Sequence, residues 1–212
     1  MQWLDAQHIV AAFGGYAVLA VAALIFFETA FILTSFFPGD SLLFILGLTL
    51  ADAAAKVPFP VGLLLVLLAA VAGTQVGFEI GKKLGPALFE RKGGWIFNPK
   101  VVTRSHELFE KYGARAVILA RFVPIIRALV PMLAGIAYLE RRRFFKYNTI
   151  GGAIWVLGFM NAGYWFGQLA WVQHNLETAV LIVVVATSLP MPLELLRAWF
   201  MQRQRSRRQK PE

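Results

Sequence analysis

The sequence contains no cysteine, which excludes a disulfide scaffold, a zinc ribbon and a thiol nucleophile. Histidine is scarce as well. His8, His106 and His174 are scattered over termini and loops, so no metal site and no cofactor is expected. No Gly-Lys-Ser/Thr phosphate loop and no Gly-x-Ser-x-Gly elbow occurs. A membrane phosphatase would need a histidine nucleophile with a second histidine and arginine partners, which the chain does not supply. An enzyme is therefore not expected. Met1 to Asp5 lack the basic n-region of a cleaved signal peptide. Charge is also sparse, at 16% of residues, against ~25% in soluble domains.

What the chain has instead is apolar bulk, 58% of 212 residues, together with 21 Lys+Arg against 12 Asp+Glu. Nucleic-acid-binding proteins carry a basic surplus on a polar surface. This chain is too apolar for that, and no nucleic-acid partner is expected. The composition implies one integral membrane domain, residues 1–200, with its basic residues in the loops. The polar tail 201–212 is expected to be disordered.

A spanning helix needs ~20 apolar residues. Residues 9–27, 60–78, 147–167 and 178–193 meet or approach this and are the spanning candidates. Residues 29–51 are apolar but interrupted by Pro38-Gly39-Asp40. Residues 116–139 are apolar but carry Arg121, Pro124, Arg127 and Pro131. Each half of such a segment, ~10 residues at ~1.5 Å each, reaches only mid-membrane. Two re-entrant hairpins, about 28–51 and 116–139, are the expectation, with turns at Pro38 and Gly39 and at Pro124 and Pro131. Irregular backbone at that depth is tolerated where protein or water satisfies it.

The basic residues orient this arrangement. Eight lie in 81–115, four in 140–146 and six from Arg197 onward. All three groups fall on one side only if 116–139 is re-entrant, as the positive-inside bias requires. Both termini are then cytoplasmic, and the hairpins enter from opposite faces. The expected fold is thus all-α, with about four spanning helices and two opposed re-entrant hairpins arranged as an inverted repeat. Residues 98–113 add an amphipathic interfacial helix, with Asn98 and Pro99 at its start and Gly113 at its stop.

Charges at membrane depth are functional candidates by default. Glu28 and Asp40 lie on one hairpin, and Arg121 and Arg127 on the other. Arginine stays ionised and grips phosphate through paired hydrogen bonds, whereas a buried carboxylate can take up a proton. Together they suit an anionic headgroup moved with a proton. Other readings stand beside this one: Glu28 snorkelling at the interface, Asp40 as a helix N-cap, and the arginines facing headgroups from a shallow hairpin. The spacing of six residues separates Arg121 and Arg127 by ~240° on a continuous helix, so only a break at Pro124 turns both inward. Glu79, four residues before Lys83, reads as an i,i+4 pair, and Glu194 with Arg197 as the equivalent i,i+3 pair. Gly73, Gly77, Gly81 and Gly85, like Gly163 and Gly167, form stripes for close helix packing.

These residues resemble the DedA family, whose shared region is also called the SNARE-associated or VTT domain. The resemblance rests on Arg121-Phe122-Val123-Pro124-Ile125-Ile126-Arg127, Pro131, Ala134-Gly135 and Phe144, then Gly152, Trp155 and Gly163 to Gly167. In the first half it rests on Glu28, Pro38-Gly39-Asp40, Leu42 to Gly47 and the Gly77 to Gly85 run. It covers roughly residues 10–170. The chain departs from many members at Phe36, Asp40, Thr74 and Ile126, and Thr74 stands where many carry Asp. The resemblance implies a bacterial inner-membrane protein of envelope homeostasis, similar to lipid scramblases and to proposed undecaprenyl-phosphate flippases. It also implies functional roles for Glu28, Asp40, Arg121 and Arg127, with proton-gradient dependence. A lipid-phosphate translocase whose partners are membrane lipids and protons is the expectation. A proton-coupled small-ion antiporter and a non-transporting scaffold are the alternatives. The sequence sets no oligomeric state.

Overall fold

The computed structural model describes residues 6–34, 38–51, 55–89, 109–110, 112–121, 124–175, 178 and 181–182. Among these the structure is helical, with no strand. Three long helices carry the frame: α1 (Ala6–Ala30), α3 (Phe59–Phe89) and α6 (Arg141–Gly167). Shorter ones lie between and after them: α2 (Gly39–Thr49), α4 (Ala116–Ala120), α5 (Pro124–Ile136) and α7 (Ala170–His174). Residues 98–108 of the expected amphipathic helix, residues 183–193 of the fourth candidate span and the tail 201–212 lie outside the described residues, as do Glu194 and Arg197.

Lengths separate the helices into two classes. The long ones, of 25, 31 and 27 residues, reach about 37 Å or more, beyond the ~30 Å hydrocarbon core. Helices α2 and α5, of 11 and 13 residues, reach only about 16–20 Å. Among the described residues, Phe59–Lys83 is the helix both long and apolar enough to cross a membrane, with mean hydropathy 2.1. The outward faces are apolar too: Leu19 on α1, Leu64 and Leu68 on α3, and Ile154 and Leu157 on α6 are all exposed.

The first interrupted segment differs in detail from its expected form. Residues 28–30 belong to α1, which therefore carries Glu28 inside a helix and not in a separate half-hairpin. Just past the end of α1 the Thr34 hydroxyl lies within hydrogen-bond distance of the Phe27 carbonyl (2.6 Å) and the Phe31 carbonyl (3.0 Å), each of which also accepts a backbone N–H. Helix α2 then starts at Gly39, directly after Pro38. In the second segment the break lies just ahead of Pro124, between α4 and α5. Pro131, expected at a turn, is instead inside α5. It has no N–H to donate back to the Arg127 carbonyl, a loss a packed membrane helix accommodates. Gly113, the expected stop, has φ +58°, a conformation glycine adopts without Cβ strain.

Packing crosses between the halves. Helix α2 lies along α6, and α5 lies along α3. Both crossings are built the same way. A Cβ on Gly47 would fall 2.1 Å from the Met160 carbonyl oxygen, and one on Gly163 would fall 2.0 Å from that of Phe44. At the other crossing, a Cβ on Gly81 would fall 2.2 Å from the Met132 carbonyl oxygen, and one on Gly135 would fall 2.1 Å from that of Phe78. In every case the carbonyl stands three residues before the partner's glycine. Gly73 brings α3 equally close to Phe26 and Thr29 of α1. One core, including Ile25, Leu43, Val66, Trp155 and Met160, fills the space between α1, α2, α3 and α6. A second, around stacked Phe78 and Phe144 (centroids 4.3 Å), joins α3, α5 and α6.

Candidate functional site

The four ionisable residues singled out from the sequence converge between these two cores. Glu28 reaches in from the last turn-and-a-half of α1 and is 2% exposed. Burial to that degree removes the snorkelling alternative. Asp40 is the second residue of α2, whose N-cap position is Pro38, so it is not the N-cap; its carboxylate accepts across the bundle from Arg127 and Trp155. Gly39 is glycine for a local reason: a Cβ there would lie 2.2 Å from Glu28 Oε2.

Arg127, on α5, joins both acids. Its Nη2 donates to Glu28 Oε1, and its Nη1 donates to Asp40 Oδ1 at 2.7 Å. The guanidinium stacks over the Trp155 ring of α6, 4.6 Å from the centroid, a cation–π contact whose value rises when desolvated. Trp155 also donates its indole N–H to Asp40 Oδ1 at 2.7 Å. One tryptophan thus supports the arginine and one of its acids together.

Arg121, at the break before α5, is 4% exposed and has no carboxylate partner among the described residues. Its Nη2 donates to Thr74 Oγ1 at 3.0 Å and to Asn148 Oδ1. Asn148 is held in turn by donating to the Val71 carbonyl at 3.0 Å. Gly151 and Gly152 make room for the side chain, since a Cβ on Gly151 would approach Arg121 Cδ to 3.0 Å. Nε and Nη1 of Arg121, and Oε2 of Glu28, are buried without a hydrogen-bond partner among the described residues. Glu28, Thr74, Arg121 and Arg127 line a small cavity of about 10 Å³, roughly one water in size. The break at Pro124 does turn both arginines inward, and Arg121 also comes within 5.9 Å of the Trp155 centroid.

Asn148 went unseen in the sequence, because it carries no charge and does not stand out within an apolar run, and Thr74, named above only as a departure from the family pattern, was not set against Arg121. The usable signal was spacing: Asn148, Gly151, Gly152 and Trp155 fall on one face of α6 at i, i+3, i+4 and i+7. Glu79 also differs from expectation. It pairs across helices with Arg141 at 2.5 Å and not along α3 with Lys83. This ion pair sets the start of α6 level with residue 79 of α3.

The model of the VTT domain matches residues 9–165. Protein DedA of Escherichia coli (strain K12) is 36% identical over 190 residues, 90% of this chain and 87% of that protein. The chain belongs to the DedA family. An uncharacterized membrane protein of Mycobacterium tuberculosis (strain H37Rv) is 37% identical over 212 residues, covering all of this chain and 89% of its own length. The inner membrane protein YqjA of Escherichia coli (strain K12) is 30% identical over 190 residues, 87% and 84% of the two chains. No solved structure matches. As a DedA-family chain this is a membrane protein, and all four charged residues of the cluster lie within the matched region.

Proposed function

We propose that this chain is a multi-pass translocase of the bacterial inner membrane for a lipid phosphate, undecaprenyl phosphate or a phospholipid, and not an enzyme. Arg121 and Arg127 bind the phosphate, and Glu28 and Asp40 exchange a proton against it. The two interrupted segments re-enter the membrane from opposite faces, and both termini are cytoplasmic. The observation that carries this reading is Arg127 held by two acids from α1 and α2. An arginine stays charged at any physiological pH, so its partners are what must change. A phosphate offers the same paired acceptors as the carboxylates it replaces. Protonating Glu28 or Asp40 frees an Nη donor for it.

A cavity of about 10 Å³ is too small for a phosphate, so admitting one requires the elements that carry Glu28, Arg121 and Arg127 to move apart. The same one-water cavity between Glu28 and Arg121 favours a second reading, a proton-coupled small-ion antiporter. Vesicles of defined lipid composition separate the two. The lipid reading predicts that undecaprenyl phosphate in the inner leaflet becomes accessible outside, with no monovalent-cation flux; cation flux without lipid movement supports the antiporter. Glu28→Gln is predicted to abolish lipid movement, and deletion of residues 201–212 to leave it unchanged. The reverse pattern would make the chain a scaffold acting through its basic tail.

A further inference from the structure

A second, larger cavity opens at the end of the bundle where α6 begins. It has a volume of about 610 Å³ and is lined by Arg115, Arg142, Arg143 and Lys146, with Tyr112 and Tyr147 in its walls. That size falls within the ~300–1,000 Å³ of small-molecule sites. It shares no lining residue with the arginine–carboxylate cluster.

Its charge is one-sided. Among the described residues no acidic side chain lines it. Arg143 pairs with Glu140 at 3.0 Å on the outside, while Arg115, Arg142 and Lys146 have no ion pair among the described residues. Arg142 and Arg143 also stand in the first turn of α6, the end of a helix where positive charge is unfavourable, and Lys146 follows in the second. Helix stability therefore does not place them there. Orientation in the membrane needs basic residues on this face, but any position would serve. Neither requirement accounts for four cations from two chain segments around one cavity that no acid among the described residues lines.

We propose that this cavity binds the phosphate headgroup of an anionic membrane phospholipid from the leaflet at this end of the bundle. Arginines donate charge-assisted hydrogen bonds to phosphate oxygens, and basic pockets between membrane helices hold such headgroups. Tyrosine rings suit the interfacial level. Leu119, one helical turn beyond the lining Arg115, and Phe145, next to the lining Lys146, are exposed and offer apolar surface to the acyl chains. The site holds a lipid whether or not lipid is translocated.

The test uses the full chain in phosphatidylcholine nanodiscs, with short-chain phosphatidylglycerol titrated in. Protection of Lys146 from an amine-reactive label is read by mass spectrometry, with Lys56 as the internal reference. Phosphatidylglycerol is expected to protect Lys146 and not Lys56, and added phosphatidylcholine to protect neither. Arg115→Gln with Arg142→Gln is expected to raise the lipid needed at least tenfold. Lys82→Gln with Lys83→Gln, equally basic but outside the cavity, is expected to change it less than twofold. Equal effects of the two double variants would overturn the proposal, as would equal protection of Lys146 and Lys56. Inorganic phosphate protecting as well as the lipid would overturn the headgroup assignment. If the cavity variant does not insert, the wild-type comparison of the two lysines decides alone.

Discussion

Arg127 donates to carboxylates from two helices while Arg121, close by, is met only by the neutral Thr74 and Asn148. The four charges sum to zero, yet they are unevenly shared, two acids on one arginine and none on the other. Removing one partner of a buried pair costs about 3–5 kcal/mol because it strands the other charge. Arg127→Gln is therefore expected to destabilise by about that much, and Glu28→Gln added to it to restore part of the loss. Thermal unfolding of the single and double variants in detergent checks this; additive losses would contradict the pairing. Asn148→Leu removes an acceptor from a buried guanidinium and is expected to cost about 1.5–3 kcal/mol in the same measurement. The charged members of the cluster were legible in the sequence because charge in an apolar run is conspicuous. Their pairing with neutral partners was not, because Thr74 and Trp155 entered only through the family pattern and Asn148 not at all, and nothing marks any of them as an arginine's partner until a fold sets them there.

At the scale of helices, the shared construction of the α2–α6 and α3–α5 crossings is the main finding. Gly47 and Gly163, like Gly81 and Gly135, each rest on a carbonyl three residues before the other. The stripes of single helices were visible in the sequence, but the mates Gly47 and Gly135 belong to other helices, and pairing is a property of the fold. Gly47→Ala and Gly163→Ala are expected to destabilise by about 1–3 kcal/mol each, since backbone cannot yield to a Cβ. Gly158, with nothing within 4 Å, provides the contrast: Gly158→Ala is expected to be neutral or to gain up to about 1 kcal/mol from helix propensity. Comparing the unfolding midpoints of the three variants tests the crossings directly. Pro131 shows the limit of reading prolines as turns. With Arg121 and Pro124 upstream, the chain had two places to break, and packing of α5 on α3 decided for the first.

For the molecule as a whole, the apolar outer faces and the grouping of 21 basic residues argue for one orientation in the membrane. The absence of cysteine makes this easy to check. Lys56→Cys is expected to react with a membrane-impermeant maleimide from outside the cell, and Arg142→Cys only after the membrane is opened. The reverse labelling would invert the topology, and labelling of both from one side would remove a crossing. Loop charge alone carries the expected orientation, which the labelling experiment tests, whereas the meeting of the two interrupted segments was not readable, because hydropathy carries no information on which tips touch. That meeting is the centre of the functional account. Its most direct test is movement of undecaprenyl phosphate across proteoliposomes by wild-type, Arg121→Ala and Arg127→Ala protein, each verified as inserted. The account predicts movement by the wild type and loss of at least tenfold in both variants. Movement at the wild-type rate by either variant would contradict it.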